Sequence, residues 1–228
     1  NTAAYGGAVY NQAGNLSIYE DIFTNTLPYG LLTNTATISG GAVYNAGGTT
    51  TVDTVDMRNN RVTGGNGGAF YHAGGVSILQ NNIIRLNQAS GGGGVYNAGT
   101  GLSVWRNTFY SNSAGGNGGG FYTTNHLPDV RNNIFRNDTG NNVIYKSPGG
   151  TPYSINFNGV SGPATAYGGN ILTGTNSLSY DPLLTNPANG DFHLADNSPI
   201  FDRGDPTMTI FKDFDDDYRP GKLGHHVL

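Results

Sequence analysis

Apolar residues in this chain come in short bursts that alternate with polar ones. AVY, LSIY, TVDTVDM, VSIL and LSVW each run for three to seven residues and then meet Gly or Asn. Alternation with a period of two, rich in β-branched and aromatic residues and bounded by turn formers, predicts short strands. The bursts also repeat. Gly6-Gly7-Ala8-Val9-Tyr10-Asn11 returns at Gly40 to Asn45, Gly67 to His72, Gly92 to Asn97 and Gly118 to Thr123, with a worn copy at Asn142 to Lys146. Successive tyrosines of this phrase lie 34, 27, 25, 26 and 23 residues apart. A second phrase, an apolar residue three positions before an asparagine, keeps time with it: Ile22/Asn25, Met57/Asn60, Ile84/Asn87, Phe109/Asn112 and Ile134/Asn137. Two markers in register identify a structural repeat.

Several strands per repeat with Gly and Asn corners predict an all-β fold, a parallel β-helix (solenoid). Its coils stack about 4.8 Å apart, and six or seven of them make a rod about 30 Å long. The long first spacing predicts an insertion at positions 27 to 39. Stacking turns each marker into a column of like residues. Val9, Val43, Phe70, Val95, Phe121 and Ile144 should face inward, and Asn25, Asn60, Asn87, Asn112 and Asn137 should form an asparagine ladder at left-handed corners. Tyr10, Tyr44, Tyr71, Tyr96, Tyr122 and Tyr145 should then line the outside. That column reads either as rings stacked to stiffen the sheet or as a contact face for sugars or another subunit. Residues 1–175 are expected to form the repeats and 176–228 an irregular C-terminal capping segment or extension.

Composition narrows the classes. There are 37 Gly and 29 Asn but only one Glu and three Lys, so helix should be scarce. The net charge of −4 and scattered Arg argue against nucleic acid, and no apolar run is long enough for a transmembrane segment. Without cysteine there are no disulfides or thiolate metal sites. The start at Asn1, without Met, fits a leader that was removed or left out, and suggests export.

The GGAVYN phrase followed by N-x-F/I-x-x-N resembles the repeats of bacterial surface right-handed β-helix proteins, including the polymorphic outer-membrane protein repeats. The stretches GGNIL (168–172), YDPLLTNPANGDFHL (180–194) and NSPIFDRGDP (197–206) resemble the closing module of choice-of-anchor proteins. This resemblance implies a right-handed parallel β-helix in an extracellular or cell-surface protein and is not specific for an activity.

Chemistry-bearing clusters are few. Asp213, Asp215 and Asp217 alternate as calcium ligands do, but lack the EF-hand glycine and closing Glu; calcium binding is expected to be weak at most, with no other cofactor. His225-His226 reads as exposed chain. Asp129 with Arg131 and Arg106 is the best catalytic candidate, but a glycosidase needs two convergent carboxylates, so no enzyme is expected. Asn15-Leu16-Ser17 and Asn137-Asp138-Thr139 match glycosylation sequons, and Thr49 to Thr51 suits O-linked sugar. These readings converge on a non-enzymatic structural or adhesive surface protein. It would assemble into a filament with copies of itself, head to tail through its first coil or laterally, or bind glycans as an adhesin. The alternative is a carbohydrate-binding or polysaccharide-cleaving β-helix.

Overall fold

The computed structural model describes residues 1–19, 30–174, 176–208 and 214–215. Short extended segments cannot bury a face alone, so the chain winds them into four parallel sheets, one strand per sheet per turn, for about five turns. The first sheet stacks Thr2–Tyr5, Thr35–Ser39, Arg61–Val62, Gln88–Ala89 and Ser113–Ala114. The second stacks Val9–Asn11, Val43–Asn45, Phe70–His72, Val95–Asn97, Phe121–Thr123, Asn142–Lys146 and Thr165–Gly169. Asn15–Tyr19, Thr49–Asp53, Val76–Gln80, Leu102–Trp105 and Asp129–Arg131 make the third. The fourth holds Leu31–Leu32, Asp56–Arg58, Ile83–Arg85, Thr108–Tyr110, Ile134–Arg136 and Gly159–Ser161. The predicted parallel β-solenoid is the fold. Among the described residues the only helical turn is a 3-10 turn at Pro187–Asn189.

Like residues stack on like. Val9, Val43, Phe70, Val95, Phe121 and Ile144 pair in one register through the second sheet, and all but the half-buried Val9 are fully buried. Across the interior, Leu31, Met57, Ile84, Phe109, Phe135 and Val160 form the facing column. Phe109 and Phe135 stack with centroids 4.3 Å apart.

The asparagine ladder exists, with corrected membership. It runs Asn34, Asn60, Asn87, Asn112, and each backbone N–H and side-chain amide donates to Oδ1 of the next rung at 2.9–3.1 Å. The same Nδ2 atoms of Asn60, Asn87 and Asn112 donate to the carbonyls of Leu31, Met57 and Ile84. In the fifth coil the rung is Asp138, not Asn137. Phe135, rather than Ile134, pairs with Phe109, which moves the phrase by one residue. Leu31/Asn34 supplies the first rung, whereas Asn25 lies outside the described residues. Nor do the ladder asparagines occupy the left-handed backbone region. The residue before each one does: Thr33, Asn59, Leu86, Ser111 and Asn137 have φ of 53–59°. The corner is a two-residue device in which the left-handed residue turns the chain and the asparagine ties it to the next coil.

The insertion also lies earlier than its spacing suggested. Leu31–Leu32 and much of positions 27–39 belong to regular strands, and Tyr19 pairs with Asp53 as Leu31 does with Met57. The extra length therefore falls between Tyr19 and Leu31.

Interior ladder amides should be expensive to lose. Asn87→Ala removes the partner of the Asn60 backbone N–H, of one Asn60 amide hydrogen and of the Met57 carbonyl in the interior, and is expected to lower stability by about 3 kcal/mol. A urea unfolding titration with unchanged slope measures it.

The segment after the repeats lies along the outside of the fourth sheet. Leu184–Asn186 and Asp191–Leu194 form an antiparallel pair. Phe192 packs edge-on against Tyr110 and under the Arg85 guanidinium, while Leu194 and Ile200 bury against Ile134.

Candidate functional site

Tyr10, Tyr44, Tyr71, Tyr96, Tyr122 and Tyr145 pair directly across the second sheet and point outward. Their ring centroids are 5.4, 4.9, 5.1, 4.4 and 5.0 Å apart. Adjacent rings lie within 16° of parallel except the last pair, at 39°. Tyr5 closes the first end edge-on against Tyr44 at 4.9 Å. Strand spacing alone brings the rings into van der Waals contact, so ring faces are spent on each other and the surface shows edges and hydroxyls. Burial, then neighbouring phenols, raises the pKa of Tyr44 and Tyr96 above the ordinary phenol value; these hydroxyls stay neutral hydrogen-bonding groups. Tyr122 Oη lies 2.7 Å from Ser147 Oγ. The positions just past these strands are Gln12, Ala46, Ala73, Ala98, Thr124 and Ser147, small or uncharged throughout, so the tyrosines stand as a ridge.

A second outward column crosses the third sheet: Tyr19, Asp53, Gln80, Trp105 and Arg131 pair in one register. Gln80 Nε2 and Asn81 Nδ2 donate to the Asp53 carboxylate at 2.7 and 3.1 Å. Arg131 forks onto Asp129 at 2.7 and 2.6 Å and reaches Asp205 at 2.9 Å. Those bonds, to Asp129 first, hold the Arg131 pKa above its usual value. Asp205 is held below the usual carboxylate range by Thr207 and then Arg131. The Asp129/Arg131 pair thus exists and docks the C-terminal segment; Arg106 sits at a left-handed corner of the coil before.

Of the acidic tail, Asp213 and Asp217 lie outside the described residues, as do His225 and His226. Asp215 Oδ2 is 3.1 Å from His193 Nε2, whose Nδ1 is 2.7 Å from Asp191. Among the described residues no three His, Cys, Asp or Glu side chains gather as a metal site, and no helix is long and apolar enough to cross a membrane. Of the sequons, Asn15 is exposed at the start of a strand, and Asn137 is half-buried beside Arg136, which donates to it.

Sequence reasoning missed a second ladder at the corner between the third and fourth sheets. Asn82, Asn107, Asn133 and Asn158 repeat the same double donation at 2.9–3.1 Å. Its signal was present, asparagines 25, 26 and 25 residues apart. It also missed Lys146, fully buried with Nζ donating to the Gly149 carbonyl at 2.8 Å. No family model, curated protein or solved structure matches this chain.

Proposed function

We propose that this chain is an extracellular structural or adhesive rod, with the tyrosine ridge as its contact face toward copies of itself or glycans. The observation that carries this reading is the ridge: six phenols in one register, uncharged and flanked by small residues, on a frame tied by two internal amide ladders. Such a face offers repeated hydroxyls at strand spacing, suited to a partner that is itself periodic. The rod's carboxylates fit a structural role. Asp56 is engaged by Arg85, Asp53 by Gln80 and Asn81, and Asp129 by Arg131. Replacing Tyr71 and Tyr96 together by Ser should leave the circular dichroism spectrum unchanged. Filament formation in electron micrographs, or retention on a glycan array, should fall at least tenfold. A wild-type chain that stays monomeric at high concentration and binds no glycan would overturn the proposal.

The third-sheet column favours the carbohydrate reading as a second possibility. Trp105 offers an indole, and Asp53, Gln80 and Arg131 offer planar polar groups in line with it. Glycan binding lost in Trp105→Ala and retained in the Tyr double variant would assign the activity to that column. Release of shortened chains from a bound polysaccharide would make the rod an enzyme.

A further inference from the structure

Asp138 occupies a ladder position in which every preceding rung is an asparagine. Its Oδ1 does what theirs do, accepting the Asn112 backbone N–H at 2.7 Å and side-chain amide at 2.9 Å. Its other oxygen has no hydrogen-bond partner, and the residue is fully buried. That oxygen replaces the Nδ2 which, in the rungs before, donates to the carbonyls of Leu31, Met57 and Ile84. Those three residues pair in register with one another and with Phe109, so by the register of the ladder the counterpart of the second Asp138 oxygen is the Phe109 carbonyl. On its other side the backbone of Gly120 closes in; a methyl there would come within 3.0 Å of Oδ2.

A carbonyl and an ionised carboxylate are both acceptors and repel. A protonated carboxyl carries one O–H and reproduces the donor of the missing amide. Among the described residues no ionised side chain offsets the alternative. Arg136, two residues before, turns outward to Asp181 at 2.7 and 2.9 Å. Tyr110 on the preceding coil packs on Phe192, Tyr122 and Tyr145 lie in the outer ridge, and Lys146 binds the Gly149 carbonyl. The strand of the next coil facing it is Gly159–Ser161, without a titratable group.

We propose that Asp138 is the protonated, donor-bearing end of the asparagine ladder. Its loss of a proton is a switch that loosens the seam between the fifth coil and the coil before it. The electrostatics agree. Burial raises its pKa from 3.8 to about 7, against the opposing bonds from Asn112. Between those values the folded chain keeps a proton that the unfolded chain has released. Raising the pH therefore weakens the fold across this window, and the loss is complete once the folded carboxyl has ionised.

Thermal melts of the full chain and of Asp138→Asn from pH 5 to 8.5 test this. The melting temperature of the wild type should fall steadily to about pH 7 and then level. The variant, an amide in an amide ladder, should show no such fall and be the more stable protein at pH 8. Between pH 5 and 8.5 the wild-type folding equilibrium should shift on the order of a hundredfold. Parallel profiles, or a variant less stable than wild type at pH 8, would overturn the proposal. Should the variant fail to fold, carbon-13 NMR of the wild-type carboxyl decides. Titration near pH 7 supports the switch, and titration near 4 refutes it.

Discussion

Val95→Asp should leave the chain unfolded at room temperature. Val95 is wholly buried and in register between Phe70 and Phe121. An unpaired charge in such a site costs several kcal/mol, a large part of the roughly 5–15 kcal/mol that holds a domain together. The same charge one residue along, Tyr96→Asp, faces solvent. It loses two ring stacks, worth about 1–2 kcal/mol, and should fold. Circular dichroism and a thermal melt of the two variants separate the faces. A folded Val95→Asp, or equal losses from both changes, would contradict the inward column.

Gly68→Ala should be nearly as damaging although it adds one methyl. Its Cβ would lie 2.0 Å from the Gly93 carbonyl oxygen and 2.8 Å from the Gln88 backbone nitrogen. Both belong to the next coil's backbone, which is held in its own ladders and cannot swing aside as a side chain does. The coils must separate locally, at a cost of about 3 kcal/mol or more. Gly14→Ala is the control. Gly14 has φ of 91° but nothing within 4 Å of the added methyl, so only backbone strain of about 1 kcal/mol is expected. A chemical denaturation series on the two variants checks the difference.

Acid should act against the alkaline weakening centred on Asp138. Asp181 and Asp191 are held below the usual carboxylate range, against the effect of their own burial, by bonds from Arg136 and His193. The stability they add is present above the unfolded carboxyl value and is lost as pH falls through their folded values.

The repeat phrase made the fold legible because a stacked coil imposes the same environment on each copy. Val9 and Tyr10 sit on opposite faces for the reason Phe121 and Tyr122 do, and alternation with a period of two is visible without coordinates. The ladder was legible in kind and misplaced in its last rung. Ile134 and Phe135 are both apolar, so the sequence pattern accepts either as the partner of Phe109. Only the pairing of strands 26 residues apart chooses Phe135 and so puts Asp138 rather than Asn137 inside. The left-handed corner residues were hidden for a related reason. Leu86, Arg106 and Phe157 have no turn propensity, and hydrogen bonds to the neighbouring coils hold them there.

What the sequence determined by itself is the local alternation and its period, hence a stack of parallel strands with Val-type residues inside and tyrosines outside. Tertiary structure decided everything that depends on which atoms meet between coils. It used the faces of the tyrosine rings against each other, folded the C-terminal segment along the fourth sheet through Phe192 and onto the end of the third through Asp205, and buried one carboxyl where a donor is required. These outcomes follow from contacts between residues about 25 positions apart or more, where a shift of one residue exchanges inside for outside. Local propensity does not register that shift, but packing and hydrogen bonding do.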